Sequence, residues 1–189
     1  LALRLDGDEN ATSAIMAAEG QLGGLDAVIV CVGLQTQKPL SDAAAHASVV
    51  QDRLVSIRHL FKAALPKMKN SPGGRFIVTG MLRSSFAPDA EDLARQSEKL
   101  LAGLIGELAV ESGQFGITVN YVQPGAVMTR ESRRIFNDNR DLRDFCIRRS
   151  AARRLGEALD VAKVVLFLAS DDAAFVSGTG IPVDGGREG

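Results

Sequence analysis

The feature that most constrains this chain is a rhythm of short apolar runs alternating with helix-length segments. Asp26 to Val32 (DAVIVCV) is a nearly continuous apolar run of strand length. Such a run is expected of a strand buried on both faces rather than of a half-solvated one. Asn10 to Gln21 before it reads as a helix, closed by a turn at Gly23 and Gly24. After it, Asp42 to Lys69 places Val49, Leu54, Leu60, Ala64 and Met68 at helical spacing. Pro66 predicts a kink or an early stop there, because proline has no N–H and clashes with the preceding turn.

The same alternation continues to the C-terminus. A turn at Ser71 to Gly74 precedes a strand at Phe76 to Thr79. A helix over Asp92 to Ser112 carries Leu93, Leu100, Leu101, Leu104, Ile105 and Leu108. Ile117 to Val122 gives a strand ended by Pro124 and Gly125, Leu159 to Ser170 a helix, and Gly180 to Val183 a last strand. Leu1 to Leu5 reads as a short strand at the start. Strands separated by helices of this length imply crossover connections and a mostly parallel sheet with helices on both faces. With 189 residues the chain suits a single α/β domain over 1–189.

Charge narrows the function classes. The net charge is −1, which points away from a nucleic-acid binder or a polybasic membrane anchor. No apolar run approaches the roughly 18 residues of a membrane span, and no signal-peptide pattern is seen. Cys31 and Cys146 lie far apart and read as free thiols of a reducing, cytoplasmic compartment. His46 and His59 have no ligand spacing, so no metal site is expected. The sequence starts at Leu1, inside an apolar run, and an upstream segment is expected.

Four segments, in order and at matching spacing, resemble the short-chain dehydrogenase/reductase family. Leu25 to Gly33 resembles the family strand that ends in Asn-Asn-Ala-Gly. Ala63 to Met68 with Gly74 to Val78 resembles the next helix end and strand. Gly103-Leu104, Leu108 to Glu111, Gly116 to Asn120 and Pro124-Gly125 resemble the longest shared block. Arg154 to Gly156, Val165 to Ser170 and Val183 to Gly186 resemble the C-terminus. The resemblance covers nearly the whole chain. It implies a Rossmann-like doubly wound sheet that binds NAD(P), with strand order 3-2-1-4-5-6 and a seventh strand at the far edge.

The resemblance also implies where the active site of such an enzyme falls. Family members use a Tyr and a Lys four residues apart on the long helix; the Tyr is the general acid or base, and the Lys lowers its pKa and binds the cofactor ribose. Counted without gaps, these positions are Ala94 and Glu98. A slip of one residue gives Arg95 and Lys99, still without a tyrosine. The one tyrosine, Tyr121, sits in a strand. The catalytic Ser position falls on Met81, with Ser84 and Ser85 nearby as loop or capping residues. The Asn position falls on Arg53. Of Asn-Asn-Ala-Gly, here Val30 to Gly33, only Gly33 remains. A positioned general acid supplies roughly 100- to 10,000-fold in rate, and alanine has no proton to give.

The family's Gly-rich phosphate-binding turn has no match here. Gly20, Gly23 and Gly24 follow a helix and precede a strand, the reverse of the required order. The chain begins at what resembles the third strand, so the front βαβα portion is expected to be missing from it. Asp6 matches an acidic residue near the adenine, and is equally an ordinary turn residue. Pro124, Gly125 and Thr129 match the turn whose Thr contacts the nicotinamide, and equally serve to end the strand and shape the loop.

Residues 130–154 hold nine arginines. Two readings stand for them: an anion site, for instance for CoA phosphates, or a solvated helical face paired with Glu131, Asp138, Asp141 and Asp144. In the family the long helix and the C-terminal block build dimers and tetramers. Loss of the chemistry with retention of those surfaces implies a non-catalytic subunit that binds no cofactor itself. Such a subunit would assemble, as heterodimer or heterotetramer, with an active family member carrying NAD(P). The heteromeric hydroxyacyl-CoA dehydrogenase of the benzylsuccinate pathway is one system this chain resembles. The alternatives are an NAD(P)-dependent oxidoreductase with an atypical site, or a homo-oligomeric binding protein for a small ligand.

Overall fold

The computed structural model describes residues 11–32, 43–71, 73–80 and 91–186; in the two long helices, side chains are described from residue 47 and from residue 95. The strand expected at 1–5, together with Asp6, Gly33 and Met81, lies outside the described residues. The elements are α1 (Ala11–Leu22), β1 (Ala27–Val32), α2 (Ala43–Met68), β2 (Arg75–Gly80), α3 (Glu91–Gly113), β3 (Thr118–Pro124), β4 (Val127–Met128), α4 (Arg130–Asp138), α5 (Arg140–Arg148), β5 (Gly156–Glu157), α6 (Ala158–Ala169) and β6 (Gly180–Val183), with a 3-10 turn at Asp171–Ala173 before β6.

Four parallel strands form the main sheet in the order β1-β2-β3-β6. Its register sets Val32 beside Gly80 and Pro124 beside Val183, which brings the C-terminal ends of all four strands to one edge. Alternate residues of the strands feed two layers. On one face Phe76, Val78, Val119 and Tyr121 pack with Phe61, Ala64 and Met68 of α2 and with Leu101, Ile105 and Leu108 of α3. Phe61 meets Phe76 edge to face, with ring centroids 5.2 Å apart, a geometry that adds about 0.5–1.5 kcal/mol to the area buried. On the other face Ile77 and Val122 pack with Leu168 of α6 and Ala173.

Two local expectations are corrected, and one short sheet was not expected. The apolar run at β1 is buried on one face only: Val28, Val30 and Val32 face the helical core, whereas Ala27, Ile29 and Cys31 are exposed. Among the described residues nothing packs over that outer face, so continuous hydrophobicity is not matched by double burial there. Pro66 does not end α2 early. It sits in the last turn, and α2 runs on to Met68. Beside Pro124 a second, two-stranded sheet joins β4 to β5, too short to leave a periodic signal.

The arginine-rich segment folds as two nine-residue helices, α4 and α5. Thr129 caps α4 and Asn139 caps α5, each side chain accepting from a backbone N–H of the first turn. Phe136 and Cys146 turn inward from these helices. Among the described residues no helix is long and apolar enough to cross a membrane.

Candidate functional site

The strand ends at Val32, Gly80, Pro124 and Val183 define an edge where ligands bind in open parallel sheets, outside the carboxyl ends of the strands. The helices over one face bring two of the sequence-derived site positions to the fold. Arg53 is half-buried on α2, and burial lowers the pKa of its guanidinium. Its Nε is buried with no hydrogen-bond partner among the described residues. Glu98 is half-buried on α3. It lies close enough to Tyr121 that, after burial as the main cause, its charge adds to the rise in the tyrosine pKa. Ala94 is also on α3, but its side chain is outside the described residues. So are Asp6, Gly33, Met81, Ser84 and Ser85.

Tyr121 is held in the core by β3, beneath α3 and against β6. An added β-carbon at Gly180 would come 2.1 Å from its Cζ and 2.4 Å from its hydroxyl. The raised pKa keeps the hydroxyl protonated at neutral pH, and the side chain is 7% exposed.

The turn after β3 carries the remaining positions. The Gly125 N–H donates to Val183 O at 2.9 Å. Thr129 Oγ1 accepts from Ser132 N at 3.1 Å, while Ser132 Oγ accepts from Thr129 N and donates to Val127 O, both at 2.7 Å. This reciprocal box satisfies the start of α4, so the Thr129 hydroxyl already has a structural task.

Sequence reasoning missed the residues that clamp the C-terminal segment under this turn. Asn120 is fully buried; its Nδ2 donates to Val176 O at 2.7 Å, and its Oδ1 accepts from Thr179 N at 3.2 Å. Ser177 Oγ accepts from Val119 N at 3.1 Å. Ser150 Oγ lies 3.2 Å from Asp184 O and 3.3 Å from Gly185 O. A buried asparagine in an apolar strand was the available signal, because an amide is stable there only when its donor and acceptor are satisfied. Cys146, also buried, has its thiol pKa pushed up to about 11 by desolvation.

A parallel sheet in this order, with helices on both faces and its strand ends gathered at one edge, defines a Rossmann-like α/β protein. Residues 4–188 match the family model described as Enoyl-(Acyl carrier protein) reductase, and the chain belongs to that family, within the short-chain dehydrogenases/reductases. It is similar to the 3-oxoacyl-[acyl-carrier-protein] reductase FabG of Haemophilus influenzae, 36% identical over 138 residues, covering 73% of this chain and 56% of the relative. The alignment therefore spans little more than half of that protein's length. FabG of Vibrio cholerae is 27% identical over 188 residues, covering 98% of this chain and 76% of the relative.

Among solved structures, the TT0495 protein of Thermus thermophilus is similar with a TM-score of 0.83 at 25% identity, covering 97% of this chain and 78% of that one. A 7α-hydroxysteroid dehydrogenase complexed with NADH and 7-oxo glycochenodeoxycholic acid has the same TM-score and identity, covering 99% and 74%. The family is one of oxidoreductases. The expected fold class, with its parallel sheet and two helical layers, is the one observed.

Proposed function

We propose that this chain is a non-catalytic member of its family that assembles with, and stabilises, an active NAD(P)-dependent dehydrogenase subunit. The observation that carries this reading is the half-buried carboxylate of Glu98, on the helix where the family resemblance implies a lysine. A carboxylate there repels the cofactor's phosphates and cannot lower the pKa of a neighbouring tyrosine. The neighbouring tyrosine, Tyr121, is shifted the opposite way. It also projects from a strand under the helix, not from the helix one turn before Glu98.

The residues matched to the family's nicotinamide-contacting turn have structural tasks that need no cofactor. Thr129 spends its hydroxyl as a helix cap. Gly125 packs against Asp184, which gives it a structural reason to be glycine. No cofactor chemistry is therefore assigned to this chain, and NAD(P) belongs in the partner.

Assembly is supported by α6. Its inner face packs on the sheet through Val161, Val164, Val165 and Leu168, yet its outer face exposes Leu159 (59%) and Leu166 (72%) beside Phe167. Large apolar side chains gathered on one exposed face, here interrupted by Lys163, mark a surface suited to a partner. A related chain with its own α6 is the occupant this face fits.

Native mass spectrometry of the untagged protein from its source tests the reading. A stoichiometric complex with a second chain of the family is expected, with NAD(P) titrating only the second chain. A homo-oligomer that binds and turns over NAD(P) would overturn it. A homo-oligomer indifferent to NAD(P) would instead favour a small-ligand binding protein.

A further inference from the structure

Three buried side-chain atoms have no hydrogen-bond partner among the described residues: Arg53 Nε, Thr118 Oγ1 and Arg149 Nε. Thr118 is neutral, and the Arg149 guanidinium is engaged elsewhere, 5.8 Å from the ring centroid of Phe145. Arg53 is charged, and the described residues give it neither a hydrogen bond nor an ion pair. Burial lowers its pKa, with no acidic neighbour acting the other way. A guanidinium stays protonated throughout the ordinary pH range, so it cannot relieve the unmet N–H by titrating. Such a group calls for an ion, a ligand or an ordered water.

Arg53 sits where a ligand can reach it. It lies between Val50 and Ile57 on α2, both buried, so its stem runs along the inward side of the helix. The end of α2 is beside the start of β2, since a β-carbon on Gly74 would meet Met68 Cβ at 3.5 Å. From Met68 back to Arg53 the helix rises about 22 Å, against about 17 Å for β2 from Arg75 to Gly80. The end of α3 is tied to the start of β3 in the same way, with Ser112 Oγ 3.2 Å from Ile117 O. Glu98 stands as far back along α3 from Gly113 as Arg53 does along α2 from Met68. Both residues therefore come level with the C-terminal ends of the strands, on two helices that pack together over one face. That rim is where open parallel sheets take ligands. Glu98 is not among the charges acting on Arg53, so it does not serve as its counter-ion.

We infer that Arg53 anchors a binding site for a small monocarboxylate, held by the fork of its Nε–H and one Nη–H. A carboxylate matches that fork with two parallel hydrogen bonds and neutralises the guanidinium with one charge. Phosphate fits less well, because the half-buried carboxylate of Glu98 at the same level repels a dianion more than a monoanion. The site is separate from the apolar face of α6. It does not rest on the reading that the chain is non-catalytic, and either outcome for that reading leaves it standing.

The test is thermal unfolding of the full chain in its native assembly, with chloride exchanged for acetate at fixed ionic strength and near-neutral pH. Acetate is expected to raise the midpoint saturably, by about 2 °C or more. General salt effects are common to wild type and variants, so the site is read as the difference between them. Arg53→Met keeps the apolar stem and removes the fork; it should lose the Arg53-dependent rise. Arg53→Lys keeps the charge without the fork and should lose at least half of it. Arg58→Gln, elsewhere on α2, should retain it, and inorganic phosphate should raise the midpoint of the wild type less than acetate does. An acetate response as large in Arg53→Met as in wild type would overturn the inference. So would a larger Arg53-dependent response to phosphate than to acetate. If Arg53→Met does not fold, a full response in Arg53→Lys overturns it alone.

Discussion

Gly125 leaves no room for a side chain beside Asp184: a β-carbon on Gly125 would fall 2.7 Å from the Asp184 β-carbon and 2.8 Å from its Cα. The two residues belong to the turn after β3 and to the segment leaving β6, whose strands pair at Pro124 and Val183. Their approach packs the turn after β3 against the segment leaving β6. Retention of glycine at 125 therefore follows from packing alone, whether or not a cofactor ever sits there.

Gly125→Ala should destabilise the fold by about 1–3 kcal/mol, because no flexible side chain can move aside. Urea denaturation followed by circular dichroism measures it. A midpoint equal to that of the wild type would remove the packing explanation and return Gly125 to the binding edge.

Gly180→Ala should also cost about 1–3 kcal/mol, through the ring of Tyr121. Here the obstacle is the end of a side chain, so Tyr121→Val should recover part of the loss. A double-mutant cycle is expected to be clearly non-additive. Additive losses would show that the two residues do not crowd one another.

Asn120→Ala should be among the most damaging single changes. It strands the carbonyl of Val176 and the N–H of Thr179, at about 1–3 kcal/mol for each unsatisfied buried group. Hydrogen exchange should rise first at Thr179 and the residues around it. Protection there unchanged from wild type would contradict the clamp.

Asp160 gives a pH-dependent prediction. Hydrogen bonds from Arg154, then from the Glu157 N–H, hold its carboxyl down at about 2 against an ordinary 3.8. The folded value is the lower one, so the contribution is complete above pH 3.8 and is lost as pH falls towards about 2. Asp160→Asn should flatten the stability profile in that window and leave its shape unchanged above it. A difference in slope confined to neutral pH would count against the assignment.

Much of this architecture was legible because it rests on local physics. The helix over Glu91–Gly113 and the strand at Gly180–Val183 follow from periodicity and from punctuation by Gly and Pro. Arg75 was not legible. It opens β2 and is 3% exposed, a charge that sequence reasoning leaves at the surface. It is tolerated because its guanidinium donates to the carbonyls of Gly73, Gly74 and Ser170 and meets Asp171 at 3.5 Å. Those partners lie on segments nearly a hundred residues apart, and no window of sequence contains both.

The sequence by itself determined the alternation of strand and helix, the parallel sheet, and the residue types at the positions matched to an active site. Composition and spacing are enough for those, since each is set by side-chain chemistry over a few turns. Only the tertiary structure decided which face of β1 is covered, that Glu98 lies near Tyr121, and that Gly125 is pressed against Asp184. These are meetings of distant segments, fixed by how layers pack and not by any local preference. The same holds for the arginines of α4 and α5. Their number is written in the chain, but the fold decides that Arg130, Arg133, Arg134, Arg140, Arg143 and Arg148 come to the surface while Phe136 and Cys146 turn inward.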